Sequence, residues 1–289
     1  MKKILFWVIA FLITVSTAYY QRKTGPTHPV SGKIPVNESE IAYKFKRGHV
    51  STRDYKIKIE VPDKQISGYL TYKRYKTSDS WTNIPMVRKE DSLVVSLPKQ
   101  PPAGKLEYKV MLSFQEKDIS LPAEESVIIR FRGDVPAAIL IAHIIIIFLG
   151  MLFSTRAGIE ALDRKGNPRK LVLWTVGLLF VGGLILGPVV QKYAFGEFWT
   201  GFPLGKDLTD TKILIAMVLW IAAVIAGRGG KPARRWVLGA SILLLVVFLI
   251  PHSLLGSELD YSEMEASSTI QGKLFHCTPN EMTHRSQIT

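Results

Sequence analysis

The sequence predicts an α+β membrane protein: an N-terminal helix, an extracytoplasmic antiparallel β-sandwich of immunoglobulin or fibronectin type III style, then a four-helix transmembrane bundle. Three observations carry that expectation. Nearly uncharged apolar runs at residues 136–154, 171–190, 212–227 and 236–250 crowd the second half of the chain. Between residues 41 and 131, apolar and polar side chains alternate with a period of two. Lysine and arginine gather in every second loop of the apolar half.

The chain opens with Met1-Lys2-Lys3 and an apolar segment over residues 4–20. Such a segment is either a secretory signal peptide, for which Ser16-Thr17-Ala18 offers a small-residue cleavage site, or an uncleaved anchor. The run holds no Gly or Pro before that site and ends in the aromatic pair Tyr19-Tyr20, which favours the anchor. Either way, the chain beyond Tyr20 is exported. Residues 21–33, with their Pro and Gly, read as an irregular strap leading into the first strand.

Strands are expected where the alternation is cleanest: Ile41, Tyr43 and Phe45; Tyr55, Ile57, Ile59 and Val61; Leu70 among Tyr69, Tyr72 and Tyr75; Leu93, Val95 and Leu97; Leu106, Tyr108, Val110 and Leu112; Val127, Ile129 and Phe131. Turn chemistry separates them at Val61-Pro62-Asp63, Thr77-Ser78-Asp79-Ser80, Lys89-Glu90-Asp91 and Pro101-Pro102-Ala103-Gly104. Trp81, just after a turn, is expected as a core or edge-packing aromatic. Cys277 is the only cysteine, so no internal disulfide helps and the core alone must hold the exported region. Basic residues interleave with apolar ones at Lys44-Phe45-Lys46-Arg47, Lys73-Arg74-Tyr75-Lys76 and Arg88-Lys89. A solvated sheet face is the plain reading; a surface for anionic lipid or an acidic partner is the sharper one.

The first two long runs reach roughly the 20 residues that a bilayer demands of a helix, and the last two fall short of it. Lys212, Arg228, Arg234 and Arg235 can snorkel from the ends of the short runs, and Trp220 and Trp236 suit an interface, so both are read as spans. Gly177, Gly182, Gly183 and Gly187 are spaced for close helix packing. Arg156, Arg164, Lys165, Arg169 and Lys170 in one loop, and Arg228, Lys231, Arg234 and Arg235 in another, put those loops in the cytoplasm. The expected organisation is an anchor or signal peptide over 1–20, the sandwich over 21–135, the transmembrane domain over 136–261 and a flexible tail over 262–289. The sandwich and the C-terminus lie outside. A net charge of +13 is then an orientation signal with the bilayer as partner, and calls for no nucleic acid. The short link from Phe131 to Pro136 seats the sandwich over the outer mouth of the bundle.

Two histidines stand out. His143 is the only ionisable residue inside its run, about 10 Å below the outer end near Pro136 at 1.5 Å rise per residue. His252 follows Pro251 at the outer end of the last run, so the pair is a candidate ligand set for haem b or a divalent metal. The plain alternative is a hydrogen bond from His143 across the bundle and a wet His252. The loop over residues 198–210 places Thr209 or Asp210 as an N-cap for the fourth of the apolar runs counted with the N-terminal one. Asp207, Asp210, Glu258 and Asp260 could join the histidines as ligands of a divalent cation. His49 near Ser51 and Asp54, His28 in the strap, and His276, Cys277 and His284 in the tail carry no diagnostic spacing. No phosphate-binding loop, dinucleotide-binding glycine pattern, zinc-protease helix or nucleophile turn occurs at a plausible place.

Residues 20–27 (YQRKTGPT), 97–108 (LPKQPPAGKLEY), 201–210 (GFPLGKDLTD) and 252–261 (HSLLGSELDY) resemble stretches of uncharacterised bacterial multi-pass membrane proteins. The resemblance implies the architecture and a bacterial inner membrane, and carries no activity with it. The leading expectation is a non-enzymatic membrane protein whose sandwich binds a ligand or a membrane or periplasmic protein partner. A haem or metal redox module built on His143 and His252 is the alternative, and a transporter component the third.

Overall fold

The computed structural model describes residues 1–37, 39–205, 207–230, 233–251, 258–262 and 264. Helix α1 (Lys2–Thr24) runs through the expected cleavage site and takes four residues of the expected strap, ending at Gly25. Its hydroxyls are satisfied internally, Thr14 donating to the Ala10 carbonyl and Thr17 to that of Ile13, so that side of the helix can be buried without orphaned donors. Trp7 meets Phe153 edge-on at 5.2 Å, and Lys2 pairs with Asp163 at 2.7 Å, which fastens α1 to the helix beyond the β-region.

Strands β1 (Val30–Val36) and β2 (Ser39–Phe45) form a hairpin around Asn37, whose φ of 55° suits a side chain tolerated in the left-handed region. The end of the expected strap is therefore strand, because Gly32 and Pro35 dilute an alternation that Ile34 and Val36 complete. Next come β3 (Gly48–Val50), β4 (Tyr55–Glu60), β5 (Ser67–Arg74) and β6 (Thr82–Pro85). Beyond them lie β7 (Val87–Lys89), β8 (Ser92–Leu97), β9 (Lys105–Phe114), β10 (Lys117–Leu121) and β11 (Val127–Arg132).

One sheet has the order β3-β11-β9-β5-β6, with β10 also on β9; a second has β4-β8-β7. Every pair is antiparallel except β11 with β3, which is parallel and departs from the all-antiparallel expectation. Ile57, Ile59, Leu93, Leu97, Leu70, Leu106, Tyr108, Ile129 and Phe131 share one core, so the predicted inward positions of both sheets meet each other. Tyr108 is fully buried and donates to the Lys46 carbonyl at 3.0 Å; burial pushes its hydroxyl far above the ordinary tyrosine value. Trp81 packs at the edge rather than in the core, 42% exposed with the Lys73 ammonium 5.1 Å from its ring centre.

After Gly133 the chain enters α2 (Ala137–Leu162). A continuous helix comes next, made of α3 (Arg169–Leu179), a π-helical segment (Phe180–Leu186) and α4 (Gly187–Phe195). Helix α5 (Leu208–Ala226) and α6 (Arg234–Leu249) complete the bundle. Among the described residues, four helices, α1, α2, Arg169–Phe195 and α5, are long and apolar enough to cross a membrane, which makes this a multi-pass membrane protein; α6 is shorter, at 16 residues. Trp220, expected at an interface, instead lies fully buried with Met151, Leu179 and Leu244, because its position on α5 turns inward. Gly182 and Gly183 do allow close packing, with Ile147 and Ile213 against them, whereas the space beside Gly177 is open.

The chain returns to the β-region after α6. The Leu259 amide donates to the Ala103 carbonyl, and Tyr261 is buried with its hydroxyl donating to the Lys105 carbonyl at 3.1 Å and the Arg74 guanidinium 5.0 Å from its ring centre. Glu258 bonds both Lys76 and Lys105. Partial burial works against the Glu258 charge, but hydrogen bonds from the two ammonium groups prevail and hold its carboxyl below the usual glutamate value. Burial pulls Lys105 below the ordinary lysine value and Glu258 opposes that pull; facing two cations, the carboxylate is the member whose charge is secured. Because the folded-state value is depressed, the stability Glu258 contributes is fully present above the unfolded value of 4.5 and is lost as pH falls below it through the lower folded value. Acidification below about pH 4.5 is therefore expected to lower the protection factor of the Leu259 amide, its exchange rate divided into the intrinsic rate at the same pH, and Glu258→Gln to remove that pH dependence.

Candidate functional site

Where the β-region meets the bundle, a cavity of about 200 Å³ is lined by residues of both. From above, Arg130 of β11 reaches it with its guanidinium 3.9 Å from the Phe195 ring centre. Burial draws Arg130 below the usual arginine value, against the opposing pull of Asp207 and Glu258, and an arginine so placed stays charged. The joint is tight, since the Gly133 amide donates to the Ala194 carbonyl at 2.8 Å.

From below, His143 of α2 places its Nδ1 2.9 Å from the Gly182 carbonyl oxygen. That carbonyl belongs to the π-helical segment and also accepts the Gly187 amide. A carbonyl can only accept, so Nδ1 carries the proton, and in the neutral ring the lone pair is the one on Nε2. The plain expectation for His143, a hydrogen bond across the bundle, is thus the bond its Nδ1 makes. The rest of the ring lines the cavity.

Asp207 and Asp210 lie at the opening of α5. Asp207, rather than Thr209 or Asp210, is the N-cap, its Oδ1 accepting the Thr209 amide at 2.7 Å. Asp210 faces back into the preceding loop, where its Oδ2 accepts the amides of Thr200 at 2.8 Å and Gly201 at 3.1 Å. The Lys212 ammonium, buried rather than snorkelling, donates to the Ile250 carbonyl at 3.1 Å. Backbone amides thus draw on both carboxylates, while Arg130 and Lys212 bring cationic donors to the same space.

The six residues singled out from the sequence divide between two places and an undescribed one. His143, Asp207 and Asp210 line the cavity. Glu258 and Asp260 sit on the β-region instead, Glu258 on its lysines and Asp260 accepting the Ser262 amide at 2.9 Å. His252 lies outside the described residues, as do His276, Cys277 and His284. Among the described residues, no three His, Cys, Asp or Glu side chains gather as a group that could hold a metal ion. At about 200 Å³ the cavity is smaller than the roughly 300–1,000 Å³ of pockets that enclose a whole cofactor-sized ligand. His49 is spent structurally, its Nε2 3.2 Å from the Asp54 carbonyl oxygen and its ring beside Tyr55 and Phe131.

Arg130, Gln191 and Lys212 also line the cavity, and nothing in the sequence pattern placed them there. The available signals were a charge on the last strand before a helix and a lysine just inside an apolar run. No protein-family model matches the chain, and no curated protein matches it.

Proposed function

We propose that the chain is a non-enzymatic recognition protein of a bacterial inner membrane, which holds the polar end of a small, acceptor-rich ligand in the cavity between its β-region and its helices. In this reading the β-region is an extracytoplasmic sandwich of immunoglobulin or fibronectin type III style. It caps the bundle and supplies Arg130, and its outer face is free for a membrane or periplasmic protein partner. The observation that carries the reading is the composition of the cavity: Arg130 from the β-region, Lys212 and His143 from the helices, and the carboxylates Asp207 and Asp210, all set among apolar walls. A carbonyl-bearing or anionic headgroup fits a space where two cations and two carboxylates already balance each other, and its apolar remainder leaves toward the lipid.

The test is solvent extraction of detergent-purified full-length protein followed by mass spectrometry. A small molecule retained by the wild type and lost on Arg130→Gln and on His143→Phe supports the proposal. Extracts that do not differ among the three proteins contradict it. An absorption spectrum before and after dithionite, with elemental analysis, is taken on the same sample. A Soret band or stoichiometric metal that disappears with His143→Phe would replace this reading with a redox or metal module on His143 and His252.

A further inference from the structure

At the end of the bundle away from the β-region, a second cavity of about 440 Å³ opens between the start of α3, the end of α5 and the start of α6. Its floor is apolar, with Val172, Ala223 and Val237 buried. Arg169 and Arg228 stand at its rim, and among the described residues no acidic side chain lines it. The acids of this end are engaged elsewhere, Glu160 by Arg156 at 2.7 Å and Asp163 by Lys2 at 2.7 Å. Arg234 is occupied too, donating to the Arg164 and Gly166 carbonyls and so shaping the loop that walls the cavity. Among the described residues, neither the Arg169 nor the Arg228 guanidinium meets a carboxylate.

The depth of the cavity identifies its surroundings. It lies where the apolar helices stop, with Trp174 62% and Trp236 53% exposed, the placement of interfacial aromatics. An occupant must therefore combine an anionic head, to meet two guanidinium forks, with an aliphatic body, to cover the apolar floor. The geometry points to a binding site for an anionic glycerophospholipid in the leaflet away from the β-region, its phosphodiester between Arg169 and Arg228. Phosphate forms bidentate bonds with arginine, which a zwitterionic headgroup offsets with its own cation.

The experiment uses full-length protein reconstituted with phosphatidylcholine and phosphatidylglycerol, then released for native mass spectrometry. The expected result is retention of phosphatidylglycerol over phosphatidylcholine by about tenfold, falling to near parity in the Arg169→Gln/Arg228→Gln double variant. Equal retention of the two lipids by the wild type, or an unchanged preference in the double variant, would overturn the proposal. Displacement of the lipid by inorganic phosphate would overturn it in favour of a soluble anion. Should the double variant not fold, Arg228→Gln alone decides, because it alters one exposed residue of the 3-10 turn Arg228–Gly230: a reduced preference supports the site and an unchanged one rejects it.

Discussion

Substituting Gly133 by alanine is expected to prise the β-region from the helices. A Cβ at this position would run into the Tyr193 carbonyl oxygen and stand 3.6 Å from that of Ala194. The opposing atoms are backbone, so no side-chain rotation relieves the clash. Overpacking costs ~1–3 kcal/mol even where neighbours can yield, and the upper end of that range is expected where a strand-to-helix link meets α4. Because β11 brings Arg130 and α4 brings Ala194 and Phe195, the same movement should open the cavity. Thermal unfolding in detergent and protease sensitivity of residues 133–136 report it. Gly177→Ala is the control: open space surrounds that glycine within a helix, where alanine is favoured by ~0.5–1 kcal/mol. A Gly133→Ala protein as stable and as protease-resistant as the Gly177→Ala protein would show that the joint is not closely packed.

The second large effect is expected at Asp210. Its buried carboxylate accepts two backbone amides of the loop before α5, and Gln191, which donates to Thr200, ties α4 to the same loop. Asp210→Ala leaves both amides without that acceptor, at about 1–3 kcal/mol for each buried orphan, so a loss of about 3 kcal/mol or more is expected. Asp210→Asn keeps one acceptor oxygen and should restore most of that loss. Chemical unfolding of the two variants, with hydrogen exchange at Thr200 and Gly201, separates the roles. Equal destabilisation by both variants would make the negative charge, and not the acceptor geometry, the important property.

The sequence announced the β-region through strict alternation, and β4 shows why: Tyr55, Ile57 and Ile59 are buried while Lys56, Lys58 and Glu60 are exposed. Where Gly and Pro interrupted the pattern, as in β1, the strand was missed. The membrane helices were legible from uniform apolarity, but that same uniformity hid their orientation, since a run apolar on every side does not say that Trp220 faces inward. The site was legible only in part. His143 stood out as an ionisable group in an apolar run, whereas the π-helical segment that presents the Gly182 carbonyl to it has no local signature beyond its paired glycines. Arg130 and Lys212 join the site through the folding of a strand end onto a helix end, a long-range event that no local pattern encodes.

The central claim is that the joint cavity holds a ligand, and filling that cavity tests it most directly. Gly187 lines it, and a Cβ there would make only ordinary contacts, 3.6 Å to the Gly182 carbonyl oxygen and 3.8 Å to His143 Cε1. Gly187→Leu should therefore occupy the space without disturbing the helix. Native mass spectrometry of full-length protein, wild type beside Gly187→Leu, is the measurement. A small molecule retained on the wild type and missing from a folded variant is the expected result; a folded Gly187→Leu protein carrying the same small molecule would contradict the claim.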